Sequence, residues 1–381
     1  MAYHKEMGQE TMSSIRSFCK KEPVLVISAL AAIISCFFVP PDAGYIDYID
    51  FRTLALLYAL MTVVAGLRKA GVFNTLAHTL CRRAKNIRAI GMILVGLCFF
   101  SSMLITNDVA LLTFVPFAVV VLGMADRGQD LIRIVVLQTV AANLGSMLTP
   151  VGNPQNLYLY SFFELSVGDF LLTTLPVWLL SLALVLGCCF SLSGSGFSAE
   201  LEGEYAIRHQ VLRLYLALFA VCLLTVFRVL PWPGMLLIVV FVVLILDRRT
   251  LREADFMLLL TFVAFFIFAG NLARIGAVDS LLRRLLSGRE YLTALLASQV
   301  ISNVPAALLL SGFTDNAKAL LLGTNIGGLG TPIASLASLI SLKLYSRSED
   351  ARTGRFLLEF TVVNVALLIL LSLFRWGVLR A

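Results

Sequence analysis

Charge is scarce in this chain. Asp, Glu, Lys and Arg make up 14% of its 381 residues, against 59% hydrophobic residues and a mean hydropathy of +0.91. Soluble domains carry roughly 25% charge and 45–50% apolar residues. The chain therefore lacks the polar surface that would cover a water-soluble core, and reads as an all-α polytopic membrane protein. Histidine is rarer still: His4, His78 and His209 form no zinc-spaced cluster with the seven cysteines, and no Cys-x-x-Cys pair occurs. Cys19, Cys36, Cys81, Cys98, Cys188, Cys189 and Cys222 lie mostly in or beside apolar segments and read as core thiols. Also missing are a His-Glu-x-x-His helix, a Gly-x-Ser-x-Gly elbow, a Gly-x-Gly-x-x-Gly turn and a Walker lysine, which argues against hydrolase or nucleotide chemistry. Neither an enzyme nor a cofactor is expected. The net charge of +7 fits basic cytoplasmic loops rather than a nucleic-acid partner.

What the chain does contain is one motif twice. Asn143-Leu-Gly-Ser-Met-Leu-Thr-Pro-Val-Gly-Asn-Pro-Gln-Asn156 is matched by Asn325-Ile-Gly-Gly-Leu-Gly-Thr-Pro-Ile-Ala-Ser335, with Asn, Gly, Thr and Pro at the same offsets. Each copy interrupts a long apolar segment with helix breakers and with amide or hydroxyl groups. Freed backbone polar groups are tolerated at membrane depth only inside protein or along a wet cavity. Two helices broken alike, once per half, point to the binding site of a transporter.

The pattern divides the chain into a cytoplasmic tail (1–22), repeat 1 (23–190), a linker (191–208), a connecting helix (209–230) and repeat 2 (231–381). No small-x-small cleavage site follows the first apolar run at 24–39, so that run is kept as a helix. Repeat 1 holds a hairpin at 89–124, tipped by Thr106-Asn107-Asp108, and a broken helix at 131–163. Repeat 2 holds a hairpin at 291–313, tipped by Ser302-Asn303-Val304, and a broken helix at 315–342. The second hairpin's arms are about 10 residues, roughly 15 Å, half of a ~30 Å hydrocarbon core. Arms that short dip in and return, which makes the hairpins re-entrant. Five crossings separate matching elements, so the repeats have inverted topology. The basic clusters 68–88 and 248–252 lie inside, while Asp42, Asp47 and Asp50 lie outside. Arg274, Arg283, Arg284 and Arg289 also fall outside, against the usual charge bias. Apolar residues at helical spacing near 72–80 and 281–286 predict two in-plane amphipathic helices. Gly323-x-x-x-Gly327 has the spacing of a helix-packing face, and Asp315 with Lys318 reads as a local ion pair.

Taken together, the hairpin tips, the two Thr-Pro breaks, the Asn-Pro-Gln-Asn run at 153–156 and "SQVISNVP" at 298–305 resemble the ion transporter superfamily with its citrate-transporter-like domain. Its members include divalent-anion:sodium symporters, arsenite exporters and sodium/proton antiporters. The chain looks most like an uncharacterised bacterial anion-permease branch. The resemblance implies a multi-pass protein of the bacterial inner membrane, a homodimeric scaffold and elevator-type motion. It places substrate and coupling ion at Thr106, Asn107, Asp108, Asn143, Gly145, Thr149, Asn153, Ser302, Asn303, Asn325, Gly327 and Thr331. A coupling Na⁺ is assigned to Asn107, Asp108, Asn303 and nearby carbonyls, with H⁺ as the other candidate. The dicarboxylate carriers have Ser-Asn-Thr at both tips, whereas this chain has Asp108 and Val304 at the third positions. Asp108 sets a negative charge where an anion would sit unless it is protonated or paired with a cation. It could equally cap the helix starting at Val109. The expected function is secondary active transport of a small anion coupled to Na⁺ or H⁺, the alternative being a cation/proton antiporter or arsenite-type exporter.

Overall fold

In the computed structural model the described residues are 22–123, 128–196, 206–348 and 351–378. All of the tail placed at 1–22 except Glu22, and the middle of the linker placed at 191–208, lie outside them.

The first half is built from α1 (Pro23–Cys36), α2 (Phe51–Lys69), α3 (Val72–Cys81), α4 (Ile87–Ile105), α5 (Asn107–Gly123), α6 (Gly128–Gly145), α7 (Pro154–Phe162) and α8 (Val167–Cys189). The second half has α9 (His209–Val226), α10 (Trp232–Asp247), α11 (Phe256–Arg274), α12 (Gly276–Leu286), α13 (Glu290–Ile301) and α14 (Asn303–Ser311). It closes with α15 (Ala317–Gly327), α16 (Leu336–Tyr345) and α17 (Thr353–Val378). Seven of the described helices are long and apolar enough to cross a membrane, which makes this a multi-pass membrane protein. Most long helices begin at a polar cap. Asp50 accepts from Thr53 N, Asn86 from Ala89 N, Ser166 from Asp169 N and Asp255 from Leu258 N, each satisfying an orphan donor of the first turn.

The two ends of α2 mark two faces. At its C-terminal end Lys69 pairs with Glu253 at 2.6 Å and Asp247 at 3.4 Å, and Arg68 pairs with Glu253 at 3.4 Å. Arg208 N donates to Ala70 O on the same face. Beyond the N-terminal end of α2, Arg274 pairs with Asp42 at 2.8 Å and donates to Tyr48 OH at 3.0 Å. The hydrogen bond from Arg274 to Asp42 holds the Asp42 carboxyl below the ordinary carboxylate range. An acidic turn thus neutralises the Arg274 guanidinium. No ion pair joins Asp315 to Lys318; both are exposed, and Asn316 caps α15 instead through Ala319 N.

Helices form at both places where amphipathic spacing predicts them, as α3 and α12. Both interruptions fall on the repeated motif. α6 stops at Gly145, tightens through a 3₁₀ turn over Ser146–Leu148, and extends at Thr149 before α7 starts behind the Asn153 cap. α15 stops at Gly327, and α16 starts behind the Ser335 cap. The second turning unit has short arms, α13 with 12 residues and α14 with 9. The first does not: α4 has 19 residues and is itself of membrane length. Packing crosses between halves. α4 lies on α6 and α13 on α15, while α5 packs on α16 and α14 on α7.

Gly323 and Gly327 form the predicted packing face. A Cβ on Gly323 would meet Tyr291 O at 2.6 Å, and one on Gly327 would meet Leu295 Cα at 2.9 Å, so both glycines let α15 press onto α13. The described cysteines are all free, and Cys81, Cys98, Cys189 and Cys222 are buried.

Candidate functional site

The two tips share an unusual backbone. Thr106 has φ 69° and ψ 153°, and Ser302 has φ 74° and ψ 155°, a region that only glycine occupies readily. Each tip is held open by the residue that follows it. Asn107 N donates to Gly152 O at 3.1 Å and Asn303 N to Ala334 O at 2.9 Å, so each tip is tied to the broken segment of one motif copy. Each of these asparagines also turns its Oδ1 onto the next backbone N–H, at Asp108 and Val304.

Further ties recur at matching positions. Thr149 Oγ1 donates to Met103 O, and Thr331 Oγ1 donates to Gln299 O at 3.1 Å, each carbonyl lying three residues before its tip. A Cβ on Gly145 would stand 2.0 Å from Phe99 O and 2.7 Å from Ser102 Oγ; on Gly327 it would stand 2.9 Å from Ser298 Oγ. Phe99 and Leu295 precede their tips by equal steps, as do Ser102 and Ser298. Both glycines therefore serve close approach of backbones.

The interruptions free carbonyls that a helix would have satisfied, and side chains take over that role. At the first break, Trp178 Nε1 donates to Gly145 O at 3.1 Å, and Asn156 Nδ2 reaches Met147 O at 3.2 Å and Thr149 O at 3.1 Å. At the second, Gln299 Nε2 donates to Gly327 O at 2.7 Å and Leu329 O at 2.9 Å, and its Oε1 accepts from Thr331 N.

Between the breaks lies a buried amide network. Asn143 Oδ1 accepts from Asn107 Nδ2 at 3.1 Å and from Ser335 Oγ at 3.0 Å. Asn153 Nδ2 donates to Asn325 Oδ1 at 3.1 Å and Ser146 Oγ at 3.1 Å, and Asn325 Nδ2 donates to Asn156 Oδ1 at 2.6 Å. The exchange is reciprocal: the first asparagine of each motif copy bonds the residue that caps the restarted helix of the other. One donor is spare, since Asn143 Nδ2 is buried without a partner.

Asp108 sits beside this network. Its Oδ1 is buried without a partner, and among the described residues no backbone N–H donates to its carboxylate, so it is not the cap of α5; that helix begins one residue earlier. It lines a cavity of about 170 Å³ together with Thr106, Asn153 and Pro154. Arg68, Glu253 and Asp255 line the same cavity, and Arg68 is held by Glu253. Among the described residues, no group of three or more His, Cys, Asp or Glu side chains is arranged to hold a metal ion.

The geometry sorts the expected site residues. Asn107, Asn143, Asn153 and Asn325 join in one network, and Asn303 is tied to it through Ala334, the neighbour of Ser335. Thr106 and Asp108 face the cavity. The hydroxyls of Thr149 and Thr331 are spent on backbone carbonyls, Gly145 and Gly327 are packing positions, and Ser302 is a buried tip. Ser146, Asn156, Trp178, Gln299 and Ser335 were not among the residues expected at the site. For Asn156, Gln299 and Ser335 the signal was available, as polar residues inside the repeated motif or just ahead of a tip; for Trp178, on α8, there was none.

The same picture appears in comparison with known proteins. The chain is 31% identical over 324 residues to an uncharacterized transporter of Methanocaldococcus jannaschii, covering 85% of this chain and 88% of the relative. It is 31% identical over 316 residues to the inner membrane protein YbiR of Escherichia coli, covering 81% and 84%. The silicon efflux transporter LSI3 of Oryza sativa is 32% identical over 152 residues, 39% of this chain and 31% of that protein. The model of the citrate transporter family, CitMHS, matches residues 18–320. A multi-pass chain that holds two broken helices against two polar tips and matches that model over most of its length is a membrane transporter, not an enzyme, and belongs to the citrate transporter family.

Proposed function

We propose that this protein is a secondary active transporter of the bacterial inner membrane that moves a small solute, coupled to Na⁺ or H⁺, by elevator-type alternating access. The reading includes two inverted repeats, 23–190 and 231–381, each with a re-entrant hairpin and a broken helix, and a homodimer formed through scaffold helices. The observation that carries it is the reciprocal pair of bonds between the motif copies, Asn143 with Ser335 and Asn325 with Asn153. Exchange of equivalent partners is what a pseudo-two-fold axis in the membrane plane produces. Equal tip conformations and equally spaced Thr-to-carbonyl ties support the same axis. The α13 and α14 arms, about 18 and 14 Å long at 1.5 Å per residue, support half-depth re-entry for the second tip. Arg283 on α12 donates to Gly312 O just past α14, which puts the exit of that turning unit beside its entry.

The chemistry of the pocket favours a polar solute. Amide and hydroxyl groups and broken-helix carbonyls suit Na⁺ or a hydroxylated solute, and helix N-termini behind Asn153 and Ser335 suit anionic oxygens. The test is flux in liposomes with imposed Na⁺ and pH gradients, preceded by a screen of oxyanions, carboxylates, Na⁺ and pH for thermal stabilisation. Uptake that follows an imposed ion gradient is expected. Passive flux indifferent to both gradients would overturn the proposal.

One observation favours a second reading, a cation/proton antiporter or an exporter of a weak oxyacid. Asp108 is an unpaired acid in the cavity, and the one basic residue lining that cavity, Arg68, is engaged by Glu253. An undissociated oxyacid needs no cationic partner, and a carboxylate beside it can exchange a proton. The partial similarity to a silicon efflux protein points the same way. Stabilisation by Na⁺ or by a pH shift with no effect of any anion selects this reading over the first.

A further inference from the structure

A second, larger cavity lies away from the amide network. It measures about 600 Å³ and runs between α3, α4 and α9, with the end of α2 closing one side. Its α4 wall extends from Met92 to Ile105, about 20 Å at 1.5 Å per residue, and ends at the residue before the Thr106 tip. Ser101 is the sole polar side chain on its walls among the described residues, and that hydroxyl is already given to Leu97 O at 2.5 Å. A polar solute would find no partner here. The walls are nonetheless open: Leu76 is 44% exposed, Phe100 52%, Leu104 51% and Leu216 49%. In a bilayer, a long, narrow, apolar and laterally open channel is filled by hydrocarbon.

The rim carries charge. Leu80 and Met92 border the cavity, and between them stand Arg82, Arg83 and Lys85, all exposed and none with a hydrogen-bond or ion-pair partner on its side chain among the described residues. Arg88, by contrast, is committed to Leu192 O. Three cations on the connection that joins two walls of the crevice, α3 and α4, on the face read as cytoplasmic, match the head group of an anionic lipid.

We infer that an anionic phospholipid binds in the crevice between α3, α4 and α9, with one acyl chain along α4 and its phosphate on Arg82, Arg83 and Lys85. The chain end would press on Ile105 and brace the first tip, so lipid occupancy would bear on the candidate site without belonging to it. The inference stands apart from the choice of solute or coupling ion.

Gly96 provides the test. It lines the crevice, and a Cβ added there meets nothing within 4 Å, so a side chain at this position starts towards the channel without a clash at Cβ. Native mass spectrometry of the delipidated full-length protein, titrated with phosphatidylglycerol or phosphatidylcholine of identical chains, measures retention directly. The wild type should retain one phosphatidylglycerol at least tenfold more tightly than phosphatidylcholine. Gly96→Phe should abolish retention with an unchanged lipid-free melting curve, and the triple variant Arg82→Gln, Arg83→Gln, Lys85→Gln should erase the head-group preference. If Gly96→Phe fails to assemble, Leu76→Trp fills the channel from the opposite wall and should give the same loss. Equal retention of the two lipids by the wild type, or undiminished retention in the filled variants, overturns the inference.

Discussion

Ser335 Oγ donates to Asn143 Oδ1 at 3.0 Å across 192 positions of sequence, and Asn153 Nδ2 answers it by donating to Asn325 Oδ1 at 3.1 Å across 172. The two bonds occupy equivalent places but do not have equal energetic weight. Asn143 Oδ1 keeps a second donor, Asn107 Nδ2, when Ser335 is lost. Buried side-chain hydrogen bonds in membrane proteins average about 0.6 kcal/mol, and Ser335 also caps α16 through Ala337 N, worth roughly 1 kcal/mol, so Ser335→Ala should cost about 1–2 kcal/mol. Asn153 bonds Asn325 and Ser146 and also caps α7 through Asn156 N. Asn153→Ala removes all three and should cost about 2–3 kcal/mol. Thermal melts in detergent should place Asn153→Ala clearly below Ser335→Ala; the reverse order would contradict the network as described.

Glycine substitutions along these contacts should rank by what the new methyl meets. At Gly145 it stands 2.0 Å from a backbone carbonyl, Phe99 O, which cannot swing aside. Gly145→Ala should lose 3 kcal/mol or more, on the order of the largest overpacking penalties, or fail to yield folded protein. At Gly327 the nearest atoms lie at 2.9 Å, a gap that small shifts of α13 can widen, so about 1–2 kcal/mol is expected. Gly96→Ala meets open space and should be neutral or slightly stabilising, alanine being the better helix former. Expression level and melting temperature across the three variants check the order.

How far this was legible in the sequence depends on what kind of signal each part leaves. The breaks were legible because Asn, Gly, Thr and Pro recur at fixed offsets and a membrane forbids stray backbone polarity, so the motif had to be satisfied inside protein. The amphipathic helices α3 and α12 were legible from 3.6-residue spacing. Roles within the motif were less so. Thr149 and Thr331 were nominated as ligands by the resemblance; in the fold each hydroxyl proton goes to a carbonyl three residues before a tip, a tie the sequence does not announce. Gln299 and Trp178 were left out for the converse reason: both lie outside the motif. Gln299 stood in the polar run just ahead of a tip while Trp178 left no signal, and only three-dimensional packing brings them to the carbonyls the motif frees. The Asp315–Lys318 pair shows the limit of spacing rules at a solvated helix start, where Asn316 offers a cap and the charges stay in water.

Gln299 turns that omission into a test. Its amide donates to Gly327 O and Leu329 O and accepts from Thr331 N. Gln299→Leu keeps the bulk but strands three backbone groups, and should cost about 2–3 kcal/mol. Gln299→Glu retains an acceptor for Thr331 N while losing both donors and adding charge, so it should not rescue. A melting temperature for Gln299→Leu within error of the wild type would mean that water serves those carbonyls as well as the side chain does.

Asp108 gives the sharpest separation of stability from function. A buried carboxylate oxygen without a partner is a cost to the fold, and removing the charge from such a group relieves its desolvation rather than breaking a bond. Asp108→Asn should therefore melt at or above the wild-type temperature, by up to the equivalent of about 1–3 kcal/mol. If the carboxylate carries the coupling cation or proton, the same variant should lose the dependence of flux on the Na⁺ or pH gradient, while any residual solute exchange continues. Asp108→Glu should keep part of the coupling at altered affinity. The decisive comparison pairs melting with gradient-driven flux in liposomes. A variant that melts lower yet couples as the wild type does would make Asp108 a structural residue, and would move the search for the coupling site to the asparagine network.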